Sequence, residues 1–190
     1  MVVAIELLER NLIDDNWQVL CSGEYEFFES THRCTGSHGY VNLNDAMTMS
    51  CNIFFYEAVQ KIRLDNLAKR SKDLFHGLPT GIDLPNEMKG RVPDRAYMNK
   101  LYGTDGWSTG ALLNISIGQG EVLVTPIQMI AYVNTIATSG NYNPIYIVKN
   151  EGGSAISTLI SQSTWKKINY YMKNVIVDQN GTGRLSDPKI

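Results

Sequence analysis

No apolar run in these 190 residues approaches the roughly 18 needed for a membrane-crossing helix. The longest candidate lies at the start, where Glu6 and Glu9 interrupt Val2, Val3, Ile5, Leu7 and Leu8, so no spanning or targeting segment is expected within the chain itself. Blocks of five like charges are also missing. With 17 Lys and Arg against 19 Asp and Glu, the formal charge is −2, which excludes a chain built to track a phosphate backbone, and no nucleic acid partner is expected. Cysteine is scarce and odd in number: three residues would leave one thiol over from any all-disulfide framework. Walker, dinucleotide-binding, H-E-x-x-H and G-x-S-x-G patterns are absent, and Gly118-Gln119-Gly120 lacks the glycine spacing that cradles phosphates.

What remains is an ordinary globular mixture, 43% hydrophobic and 19% charged, with length for one domain or one domain and part of another. Val2, Ile5, Leu8, Leu12 and Ile13 recur at helical spacing, with no capping residue ahead of them. Residues 17–39 are polar and broken by Gly23, Gly36 and Gly39, which predicts loops with a short hairpin. A short helix is predicted after Asn44, and two helical stretches between 53 and 75, meeting near Asp65. Apolar Leu78, Ile82, Leu84 and Val92, interleaved with Gly and Pro from 77 to 93, predict a long loop that packs on something. Thr125-Pro126-Ile127-Gln128 predicts a capping box opening a helix whose apolar stripe is Ile127, Ile130, Ala131, Val133 and Ala137, stopped by Gly140. A strand is expected over 144–148, then a last helix capped by Ser163 with Trp165, Ile168, Met172 and Val175 on one face.

Cys21, Cys34, His38 and Cys51 follow one another as C-x12-C-x3-H-x12-C and use every cysteine present. Zinc takes four such ligands tetrahedrally, and a loop-rich segment gains most from that clip. The spacing is not that of a standard finger; buried free thiols, one disulfide plus a thiol, or oxidised pairs account for the same residues. His38 is preferred to His32 because Gly36 and Gly39 around it permit a ligand turn, and His76 lies in a different segment. Ser50 and Asn52 flank Cys51 at positions that converge on one site only if the backbone turns there; otherwise one of them simply caps a helix starting at Ile53. Ser163-Thr-Trp-Lys166 matches S-x-x-K, but reads better as a helix cap with a solvent-facing lysine.

The string Ser50-Cys-Asn-Ile-Phe-Phe-Tyr56 resembles the S-x-N region of penicillin-binding protein transpeptidases. His38-Gly39, Pro79-Thr-Gly-Ile-Asp-Leu-Pro85 and the run I-S-I-G-Q-G-E-V-L-V-T-P-I-Q-M at 115–129 resemble, in the same order, the elongation-type class B group, the penicillin-binding protein 2 group. The resemblance extends from residue 1 to about 184. It implies a mainly α fold: the helical subdomain of the penicillin-binding (serine β-lactamase-like) fold, with long loops, few short strands and most of the five-stranded sheet missing. Its implied divisions are a Cys/His loop region at 17–52, helices at 53–76, a long loop region at 77–124 and C-terminal helices at 125–190. In the family an S-x-x-K tetrad immediately precedes a stretch similar to residues 1–9, and K-T-G follows one like 181–184; neither motif is in place here. The chain is therefore expected to be an internal portion of a peptidoglycan D,D-transpeptidase, a serine enzyme working through an acyl-serine intermediate, and to be inactive alone.

By match, Ser50 and Asn52 are the catalytic residues expected here: Ser50 in a proton relay and Asn52 hydrogen-bonded to lysine and substrate amide. Some members of the group carry a metal site near S-x-N, and Cys21, Cys34, His38 and Cys51 fall where its ligands belong, which implies structural zinc behind the turn. Implied partners are peptidoglycan stem peptides, β-lactams and other cell-wall elongation proteins. The implied compartment is the outer face of the bacterial cytoplasmic membrane, reached by an anchor. The competing readings are a β-lactam sensor or serine β-lactamase relative, and a zinc-stabilised module without chemistry.

Overall fold

Helix α1 (Val2–Glu9) is apolar on nearly all sides, and a helix without a polar face has to be enclosed. In the computed structural model, which describes residues 1–104, 106–107, 109–148 and 153–186, Val3, Ala4, Ile5 and Leu7 are accordingly buried. One charge is enclosed with them. Glu6 is 1% exposed, and its carboxylate is held by the Arg70 guanidinium at 2.9 Å and by Arg10 one turn further on. Both partners are needed, because a buried carboxylate left unpaired costs several kcal/mol.

Strand β1 (Val19–Cys21) pairs antiparallel with β4 (Gly39–Val41), and between them the hairpin of β2 (Glu24–Phe27) and β3 (Ser30–Arg33) sets Tyr25 opposite His32. Where loops and one hairpin were expected, there are thus two ladders, one nested inside the other. Helix α2 (Leu43–Thr48) opens on a reciprocal cap between Asn42 and Asp45, two residues ahead of the expected start. Helices α3 (Asn52–Val59) and α4 (Leu64–Asp73) are the two stretches expected between 53 and 75. The long loop expected over 77–124 holds only at its two ends, 77–94 and 117–124. Helices α5 (Arg95–Tyr102) and α6 (Thr109–Ser116) occupy much of the rest, α5 opened by the Asp94 carboxylate accepting the Tyr97 N–H. In the loop, Ile82 is buried and Val92 half-buried, while Leu78 and Leu84 are exposed.

Helix α7 (Pro126–Ala137) starts with the expected capping box of Thr125 and Gln128. Its buried face differs from the expected stripe: Gln128, Ala131, Tyr132, Thr135 and Ile136 point inward, while Ile130 and Val133 are 56% and 58% exposed. Gly140 stops the segment as expected, at φ 99° and against Trp165, where a Cβ would lie 2.3 Å from the indole nitrogen. The expected strand over 144–148 is irregular; β5 (Asn141–Tyr142) pairs instead with β6 (Ile156–Ser157). The last helix, α8 (Gln162–Val177), is capped by Ser161 rather than Ser163, and buries Trp165 and Ile168 but leaves Met172 at the margin. It packs on α1, α2 and α7, and a 3-10 turn (Arg184–Ser186) follows. The described residues make a mainly α fold of eight α-helices with three two-stranded ladders, as expected, and none of those helices is long and apolar enough to cross a membrane.

Gln128 joins this frame to the loop. Fully buried, its Oε1 accepts the Thr125 N–H at 2.9 Å, and its Nε2 donates to the carbonyls of Leu78 and Lys89, both at 2.7 Å. Gln128→Ala would orphan three backbone groups, and denaturant unfolding should show a loss of about 3 kcal/mol or more.

Candidate functional site

Helix α2 ends in a Schellman arrangement. Cys51 N–H donates to the Ala46 carbonyl at 2.8 Å and Ser50 N–H to the Met47 carbonyl at 3.4 Å, with Ser50 between them in the left-handed region at φ 55°. Glycine is the usual residue there, so a serine carries backbone strain on the order of 1 kcal/mol. Cys51 is then the N-cap position of α3 and Asn52 its first residue. Neither Ser50 nor Asn52 caps that helix, which removes the simpler explanation of the two. Ser50 Oγ lies 3.0 Å from Thr182 Oγ1, and Asn52 Nδ2 donates to the Arg33 carbonyl at 3.4 Å.

The turn brings Ser50 and Asn52 to one wall of a largely apolar cavity of about 530 Å³, shared with Phe55, His76, Tyr132 and Met172. The rings of His76 and Tyr132 are in contact, tilted by 58° with centroids 4.6 Å apart, and His76 Nε2 and the Tyr132 hydroxyl are buried without a hydrogen-bond partner. Burial pushes the His76 imidazole down to about 4. Neither residue stood out in the sequence, because a lone His and a helical Tyr carry no motif. Thr182 was likewise hidden, inside a segment that reads as a helix stop.

Behind the turn, Cys51 points into the interior. The ligand atoms of Cys21, Cys34, His38 and Cys51 all lie within 4.8 Å of one another. Cys34 Sγ is 3.8 Å from Cys51 Sγ and 3.6 Å from His38 Nδ1, and Cys21 Sγ is 3.3 Å from the same nitrogen. Tetrahedral zinc, with Zn–S near 2.3 Å, sets its ligand atoms about 3.5–3.8 Å apart, so this Cys3His group can hold a metal ion. Local backbone bonds fix the knuckle: Cys34 N–H donates to the Gly23 carbonyl at 2.9 Å and His38 N–H to the Cys21 carbonyl at 3.1 Å. All three cysteines are free thiols. Burial raises the Cys34 thiol, but the N–H groups of Ile53, Gly36 and Asn52 outweigh it and bring it down to about 6; burial drives Cys51 well up. His32 is not part of the group, its ring lying against Tyr56, and His76 faces the cavity instead. Ser163 and Lys166 are exposed on the outer side of α8, away from Ser50.

The chain belongs to the family of penicillin-binding protein transpeptidase domains, whose family model matches residues 1–190. It is similar to the peptidoglycan D,D-transpeptidase MrdA of Haemophilus influenzae, at 28% identity over 96% of the chain and 30% of that protein. Stage V sporulation protein D of Bacillus subtilis is 31% identical over 97% of the chain and 28% of that protein. Among solved structures, a penicillin-binding protein (PBP2) from Helicobacter pylori superposes with a TM-score of 0.91 at 29% identity, covering 99% of this chain and 36% of that one. The chain thus spans under a third of the length of these curated relatives.

The strained turn has a measurable signature. Ser50→Gly should hold or raise stability by up to about 1 kcal/mol, whereas Ser50→Val, β-branched in the left-handed region, should lower it by about 1–3 kcal/mol in urea unfolding.

Proposed function

We propose that this chain forms the S-x-N side of a serine D,D-transpeptidase that cross-links peptidoglycan stem peptides, with S-x-x-K and K-T-G elements supplied from outside these 190 residues. The match to the transpeptidase family along residues 1–190, with Ser50 and Asn52 together on one cavity wall, is what carries this reading. In the reaction a serine hydroxyl attacks the penultimate D-Ala carbonyl, D-Ala leaves, and an amine of a neighbouring stem takes the acyl group. Ser50 belongs to the relay that moves the serine's proton, and Asn52 orients lysine and substrate amide by hydrogen bonds. β-Lactams acylate the same serine. The cell-wall role places the domain on the outer side of the cytoplasmic membrane, tethered by an anchor, among other elongation proteins; one solved neighbour is a complex of H. pylori PBP2 with MreC.

Cys21, Cys34, His38 and Cys51 hold structural zinc. All four positions come from protein, so the metal would serve only to fix the knuckle to α3, and no reaction step passes through it. Elemental analysis of the purified protein should give about one zinc per chain, with the three thiols shielded from a thiol reagent until chelator and denaturant are added. No metal and a single titratable thiol would mean a disulfide and overturn the assignment.

The activity itself is tested in the complete protein that carries these residues. Fluorescent penicillin should label it covalently, and Asn52→Ala should slow acylation by about 100-fold, in the range for losing a positioned catalytic group. Rapid release of the label after acylation would indicate a β-lactamase instead, and no labelling at all a module without this chemistry.

A further inference from the structure

The segment after α8 returns to the S-x-N turn. Thr182 N–H donates to the Thr48 carbonyl at 3.1 Å, and Gly183 N–H to the Val175 carbonyl at 2.9 Å. Gly181 sits where a side chain cannot, since a Cβ there would lie 2.4 Å from the Val175 carbonyl oxygen, and Gly183 packs at 2.6 Å, by the same measure, on the movable tip of the Ile176 side chain. Backbone bonds and close approach therefore fix Thr182 from both sides, independently of its own side chain. Its hydroxyl lies 3.0 Å from Ser50 Oγ and 3.4 Å from the Thr48 carbonyl oxygen.

Either hydroxyl of the Ser50–Thr182 pair can be the donor, but the Thr48 carbonyl can only accept, so when the Thr182 O–H donates to it the Thr182 oxygen is left to accept the O–H of Ser50. With its proton turned to Thr182, Ser50 presents its lone pairs to the cavity, where an ammonium or hydroxyl can donate to them. Left alone, a hydroxyl on a strained turn rotates among its staggered positions.

We infer that Thr182 is a positioning residue for Ser50, holding its hydroxyl as an acceptor toward the cavity. The inference rests on the proposed role of Ser50 in proton relay. Thr182 is not among the residues lining the cavity and acts only through Ser50.

The test uses the complete protein and the rate of acylation by fluorescent penicillin across pH 5–9. Thr182→Val, which keeps shape and removes the hydroxyl, should slow acylation about 5- to 20-fold, the rate equivalent of one hydrogen bond, and shift the pH profile. Thr182→Ser should restore the rate to within about 2-fold. In a Ser50→Ala background Thr182→Val should cost nothing further, since coupled residues are non-additive. An unchanged rate in Thr182→Val, or an equal loss with and without Ser50, overturns the inference while leaving the transpeptidase reading intact. Failure of the unsubstituted protein to acylate overturns both.

Discussion

The sulfur of Cys34 accepts the backbone N–H of Asn52 at 3.1 Å, and through that bond the loop-rich region before residue 40 reaches the first turn of α3. A helix start carries unpaired N–H groups and a partial positive charge, and an electron-rich sulfur suits both. Cys51, the N-cap, offers its own side chain to the same cluster rather than to the helix end. The knuckle and the turn are consequently one unit. Ser50 can hold a left-handed conformation because α2 closes on one side of it and the sulfur cluster anchors Cys51 on the other.

The rest of the frame supports that unit from below. Buried α1 lies against α3, α4 and α8, and Glu6 is neutralised where it crosses the core. Ser161 ties the start of α8 to the end of α1 by donating its hydroxyl to Glu9 at 2.6 Å, which also helps keep the Glu9 carboxyl below the ordinary carboxylate range against the opposing effect of burial. From there α8 runs past α2 and delivers residues 181–183 to the back of the turn. The cavity wall is thus assembled from segments more than a hundred positions apart.

Local chemistry was legible in the sequence where it is self-contained. The capping box at Thr125 and Gln128 and the Gly140 stop each rest on residue types whose preferences are strong over a few positions, whereas the Cys3His set, spread from 21 to 51, was legible as residue types whose spacing left other pairings open until the resemblance favoured a metal. The S-x-N turn was legible through resemblance. What was not legible depended on distant partners. The α7 stripe came out on the wrong face because Gln128 and Thr135 are buried polar residues satisfied by carbonyls, Thr135 by that of Ala131 at 2.8 Å, and hydropathy assigns them outward. The strand expected over 144–148 has the right residues, but the Asp83 carboxylate takes the N–H groups of Ile147 and Val148 at 2.7 and 3.0 Å, which holds the segment out of any ladder. The α8 cap was expected at Ser163, but Ser161 takes it, accepting the Thr164 N–H while donating to the distant Glu9. Helix α5 was hidden by the Pro and Gly breakers crowded ahead of Asp94.

The nested hairpin has a practical side. Its ligand-bearing base is fixed by the bonds of Cys34 to Gly23 and His38 to Cys21, whereas its tip, with Phe28 83% exposed, makes no bond to the knuckle. Added length is best tolerated at that exposed tip, residues 28–30, whereas the strands below it are coupled to α3, where the Tyr25 hydroxyl donates to Glu57 at 3.0 Å and the His32 ring lies against Tyr56.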